Sequence, residues 1–125
     1  MLGRASGNER FEALAKANTA LAYFDLGEYD EAIRRDWESL KSRTGLGDRW
    51  AACVDRINLL AALLLGEGPD VALLRFVEWT PEILALRDSQ LTVNLIEVGA
   101  GIAASAGGRS ERRGWPAART RAGSR

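Results

Sequence analysis

The sequence predicts an all-α fold, an array of antiparallel helical hairpins of about two and a half repeats. Three observations carry this expectation. Apolar residues recur at helical spacing through five successive segments. Short, mostly glycine-bearing joins separate the segments. The joins also recur: Leu26-Gly27-Glu28 and Leu65-Gly66-Glu67 lie 39 residues apart, and Leu46-x-Asp48 and Leu86-x-Asp88 lie 40 apart.

In the first segment Phe11, Leu14, Ala17, Leu21 and Phe24 form the apolar stripe. Its other positions include several Ala residues and Tyr23, so this helix is expected to pack on more than one side. The three-residue join at 26–28 allows only a tight turn, and the chain returns as a hairpin. The second segment sets Tyr29, Ala32, Ile33, Trp37 and Leu40 on one face and Asp30, Glu31, Arg34, Arg35, Glu38 and Lys41 on the rest. Acids come early and Lys41 and Arg43 late, which suits the helix dipole. Gly45 and Gly47 end it. A third helix follows "LGDRW", with Trp50, Val54, Ile57, Ala61 and Leu64 on one face, and stops at "GEGPD", where Pro69 suits a new first turn. The fourth segment is apolar but contains Pro81, which costs about 3 kcal/mol inside an unbroken helix. A kink there, or a restart with Thr80 as N-cap, is expected. The fifth carries Leu91, Leu95, Val98 and Ile102 at helical spacing.

The chain has 125 residues, enough for one domain, and 46% of them are hydrophobic, as in an ordinary globular protein. The longest apolar run, 57–65, is interrupted by Asn58 and is far below the ~20 residues of a membrane helix. No apolar stretch of signal-peptide length opens the chain, and the single cysteine, Cys53, has no partner for an internal disulfide. A cytoplasmic protein is expected. Seventeen basic and seventeen acidic groups cancel overall, but unevenly. Residues 1–108 carry 11 basic and 16 acidic groups, and residues 109–125 carry six arginines against Glu111 alone. The division is therefore a repeat domain over 9–108 and a basic, disordered tail over 109–125. Six arginines and Trp115 could hold nucleic acid by counterion release and stacking, but no reading helix accompanies them, so nucleic acid is not expected as a partner of this chain alone.

Catalytic chemistry finds little to work with. The absence of histidine removes Ser-His and Cys-His pairs and histidine metal sites. Cys53 sits where a small buried side chain is expected, not a reactive thiol. Glu78 and Glu82, at i and i+4, read as a solvated face in the absence of further ligands. "VGAGIAAS" at 98–105 fits G-x-G-x-x-A, yet that fingerprint must open a βαβ unit, and no second strand follows. Close helix–helix contact explains its small residues better. No catalytic residue, metal site or cofactor is expected.

Residues 21–33 resemble a tetratricopeptide repeat, with Ala20, Tyr23, Gly27, Tyr29 and Ala32 in the signature positions. Lys16, Thr19, Asp36 and Thr44 depart from that pattern, standing where the family has Trp, Leu, Phe and Pro. The stretches 46–74 and 86–112 are similar to the degenerate repeats that end LuxR-type, ATP-binding bacterial transcriptional regulators. Asp48, Arg49, Trp50, Leu59, Ala61 and Pro69 match in one copy, and Asp88, Glu97, Ala103, Ala104, Gly107, Glu111 and Arg112 in the other. The match stops after Arg112, where the arginine-rich ending is what an out-of-frame reading of a GC-rich gene would give. The resemblance implies a non-catalytic interaction module from the C-terminal part of a regulator. Its partners would be a peptide or protein, other domains of the parent, or a second copy. Tyr23, Trp50, Asn58 and Trp79 are the candidate groove residues. Two alternatives stay open: a module that senses a small-molecule inducer, and a truncated or frameshifted relic without a role of its own. The chain carries no P-loop and no evident helix-turn-helix, so neither ATP nor DNA binding is assigned to it.

Overall fold

The structure, a computed structural model, describes residues 7–112, with side chains described through residue 107. It is all-α: among the described residues there are five helices and no strand. They are α1 (Gly7–Asp25), α2 (Tyr29–Gly45), α3 (Arg49–Glu67), α4 (Pro69–Ala85) and α5 (Ser89–Arg112). Residues 113–125, most of the stretch expected to form the basic tail, lie outside the described residues, and α5 continues past 108 to Arg112.

The joins are local solutions to a shared problem: a helix must stop and its last carbonyls must find donors. Gly27 and Gly47 adopt left-handed backbone, φ 79° and 75°. The amides beyond them reach back, Glu28 to Tyr23 and Asp48 to Arg43, at 2.9 and 3.0 Å. The third such turn uses Arg87, at φ 54°, where the first two use glycine. After the turns at Gly47 and Arg87 the next helices, α3 and α5, are capped alike. Asp48 Oδ1 accepts from the Ala51 amide at 3.1 Å, and Asp88 Oδ1 from the Leu91 amide at 2.9 Å. Pro69 opens α4 in its first turn, as expected.

Each helix packs on the next, and α3 touches all four others, so it forms the centre of the core. Its buried residues accordingly run around the cylinder, from Ala52 and Cys53 to Leu59, Leu60 and Leu63. The expected single face from Trp50 to Leu64 is therefore corrected: Ile57 is buried, whereas Trp50 is largely exposed and Val54, Ala61 and Leu64 are half-buried. α2 follows its expected stripe, with Ala32, Ile33 and Leu40 buried and Tyr29 and Trp37 partly so. In α5, Leu91, Leu95 and Ile102 are buried and Val98 packs against them. Cys53 is fully buried, and burial pushes its thiol up from the ordinary value.

Two expectations fail. α1 packs inward through Ala13, Ala17 and Ala20, while Phe11, Leu14 and Leu21 stand exposed. Alanines let the α1 and α2 backbones approach closely, and three of the stripe residues are left outside, while Ala17 and Phe24 pack inward as expected. Pro81 neither breaks nor restarts α4, which runs unbroken from Pro69 to Ala85. Thr80 is not an N-cap; its hydroxyl donates to the Phe76 carbonyl at 2.6 Å. The carbonyl that Pro81 leaves without an amide belongs to Val77, a residue 64% exposed. The glycines of the 98–105 stretch lie within α5 and sit close to neighbours: a Cβ on Gly99 would come within 2.8 Å of Phe76 Cζ on α4, and one on Gly101 within 3.4 Å of Leu64 on α3.

Candidate functional site

α2 and α4 meet through two tryptophans. Trp37 and Trp79 pack edge to face with centroids 5.6 Å apart, and the Arg75 guanidinium lies 5.1 Å from the first ring and 5.7 Å from the second. Beside them opens a cavity of about 330 Å³, bordered by Trp37, Lys41, Arg56, Arg75, Glu78 and Trp79. This is near the lower end of the small-molecule range, ~300–1,000 Å³. Two of its cations are already engaged: Arg75 pairs with Glu78 at 2.9 Å and Arg56 with Glu82 at 3.2 Å. Glu78 and Glu82, expected as a solvated face, thus hold the arginines that flank the aromatic pair. Lys41 remains exposed on the rim. The cavity can take a flat apolar group against the indoles and an anion near Lys41.

A second cluster lies buried between α2 and α3. Asp55, with no exposed surface, accepts hydrogen bonds from Ser39 Oγ at 2.7 Å and from Arg43 Nη1 at 3.0 Å. Asp36 is 3% exposed, and its Oδ1 has no partner. It borders a 40 Å³ cavity shared with Leu21, Phe24, Asn58 and Ala61. Burial, and then the charge of Asp55, push the Asp36 carboxyl up to about 7. Burial raises Asp55 too, and outweighs the opposing pull of Ser39 and Arg43. The cluster offers no exposed nucleophile and no open coordination site; its consequence is for stability. Among the described residues no group of three or more potential ligands could hold a metal ion.

The four expected groove residues fall in different neighbourhoods. Tyr23 lies on α1 under the Arg35 guanidinium, 5.3 Å from the ring centre. Trp50, at the start of α3, donates from Nε1 to Asp88 Oδ2 at 3.0 Å, tying α3 to the cap of α5. Asn58 borders the small cavity beside Asp36, and Trp79 is buried against Trp37. The signature residues do structural work. Ala20 and Ala32 are buried at the α1–α2 contact, Gly27 makes the turn, and Tyr29 packs edge-on against Phe24 at 5.5 Å. The Trp37–Arg75 half of the aromatic cluster and the Asp36–Asp55 pair were missed. Asp36, Ser39 and Arg43 at i, i+3 and i+7, beside an Asp55 that interrupts an apolar run, are the signal that was there to read. No family model, curated protein or solved structure matches the chain.

Proposed function

We propose that this chain is a non-catalytic helical-repeat module of tetratricopeptide type. It binds a peptide or protein partner and works within a larger transcriptional regulator. The observation that carries the reading is the orientation of α1. Three alanines face the core, while Phe11 is 70% exposed, Leu14 47% and Leu21 41%. A helix that keeps its small residues inside and its large apolar ones outside leaves a surface suited to being covered. α3 continues that surface. Arg10 of α1 reaches Asp48 at the start of α3 at 3.9 Å, Leu21 and Asn58 share a cavity, and Trp50 stands half-exposed nearby in sequence. The recurrence of the turn and cap at Asp48 and Asp88, with α1 touching α3 and α3 touching α5, supports a repeat arrangement. Mechanistically, a preformed set of apolar side chains loses water when a partner docks, at about 25 cal/mol per Å² covered.

Selection from a random peptide library tests this. Binders should carry apolar anchors and lose at least tenfold in affinity on Leu14→Asp or Trp50→Ala. Binders indifferent to both substitutions would refute the assignment of this surface.

The 330 Å³ cavity at Trp37 and Trp79 favours a second reading, small-molecule sensing. A thermal-shift screen with aromatic acids should then find ligands that raise the melting temperature of the wild type and not of Lys41→Ala.

A further inference from the structure

The outer sides of α4 and α5 carry a second apolar surface, separate from that of α1. The Phe76 ring of α4 lies against the Cβ-less edge of Gly99 on α5. At 3.6 residues per turn, Leu73, Val77 and Leu84 fall on one side of Phe76, and Arg75, Trp79 and Glu82, which contact α2 and α3, on the other. On α5, Val93, Ile96, Ala100 and Ala103 likewise fall on the side of Gly99 opposite to the buried Leu91, Leu95 and Ile102. Both strips are exposed, Val77 at 64% and Ile96 at 63%. Together they form one face of the α4–α5 pair, directed away from α3.

The repeat register shows that this face is an incomplete interface. Counting 40 residues back from Asp88 to Asp48, the α5 strip corresponds to Cys53, Arg56, Leu60 and Leu63 on α3. On α3 the first, third and fourth of these are buried, and Arg56 reaches Glu82 of α4 at 3.2 Å. The same positions on α5 have no helix over them among the described residues. We propose that a second copy of this chain covers them, with the two α5 helices antiparallel across a twofold axis.

Three features select a second copy. First, the strip is self-complementary, with its larger side chains at one end and alanines at the other. Antiparallel pairing sets Val93 against the partner subunit's Ala103 and Ile96 against the partner subunit's Ala100, large on small in both directions. Second, the spacing of i, i+3, i+7 and i+10 is that of a helix–helix seam, and Glu97 borders it without interrupting it. Third, the exposed apolar side chains lie on two adjacent helices, Leu73, Val77 and Leu84 on α4 and Val93 and Ile96 on α5, and so form a patch of the kind that marks an association surface.

Sedimentation equilibrium of the full chain, from about 5 to 200 µM, tests the proposal. The mass should rise toward twice the monomer and level there. The double variant Val77→Glu/Ile96→Glu, at two exposed positions, should stay monomeric with unchanged helicity. If that variant loses helicity, Ile96→Lys alone carries the same expectation. A wild type that stays monomeric throughout overturns the proposal. So does association that survives the substitutions, or a mass that climbs beyond the dimer. Leu14→Asp should leave the dimer intact, so failure here is distinguishable from failure of the α1 surface.

Discussion

Asp36→Asn should stabilise the protein, and by an amount that depends on pH. The substitution keeps the shape of the side chain and removes its charge. In the folded chain the Asp36 carboxyl is pushed up to about 7 from 3.8, by burial first and the Asp55 charge second. A folded value above the unfolded one means that the folded chain holds this proton more tightly. Stability therefore falls as pH rises between about 4 and 7, and stays reduced above. At 1.36 kcal/mol per pH unit, the gap between 3.8 and about 7 sets an upper figure of about 4 kcal/mol. The 40 Å³ cavity beside the carboxyl has room for a water that would soften the penalty. The expected gain is thus about 2–4 kcal/mol near pH 8, and below about 1 kcal/mol near pH 4, where the folded acid is neutral and the unfolded one is only partly ionised. Urea unfolding followed by far-UV circular dichroism at several pH values measures it. Equal stability of the two proteins near pH 8, or a gain that does not change with pH, would refute the reasoning.

Arg43→Met leaves Asp55 buried with only Ser39 beside it. A loss of about 3–5 kcal/mol is expected near pH 8 and a smaller one at lower pH, since burial favours the protonated form of Asp55; the same urea series reads both. Gly66→Ala should destabilise by about 1–3 kcal/mol despite alanine's better helix propensity, because the new Cβ would come within 2.9 Å of Tyr29 Cβ, which is tied to the α2 backbone. Gly107→Ala, with nothing within 4 Å, should gain up to about 1 kcal/mol and serves as the control for thermal or urea unfolding. Arg87→Gly should gain about 0.5–1 kcal/mol, since it relieves a left-handed residue in a turn that uses glycine at its two earlier occurrences.

Much of the fold was legible because helix formation and termination are local. The α2 stripe, the turns at Gly27 and Gly47, the start of α4 at Pro69 and the buried side of α5 each follow from a few neighbouring residues. The candidate site was less legible. Trp79 was singled out, but its partner Trp37 lies more than 40 residues earlier on another helix. Neither residue's sequence surroundings indicate that the two rings meet under Arg75.

By itself the sequence determined the number of helices, where most of them begin and end, and the period at which the turns return. These depend on spacing and backbone chemistry within a turn or two. Only the tertiary structure decided which face each helix buries. Alanine faces suit close approach, so α1 turned its alanines inward and left Phe11, Leu14 and Leu21 outside. Pro81 stayed within α4, on its exposed side. Ser39, Arg43 and Asp55 read as surface residues singly; they are buried because two helices bring a hydroxyl and a guanidinium to one carboxylate, at 2.7 and 3.0 Å. A polar side chain leaves water at little cost only when its partner arrives from elsewhere in the chain, as theirs did and that of Asp36 Oδ1 did not, and that arrival is a property of the packing.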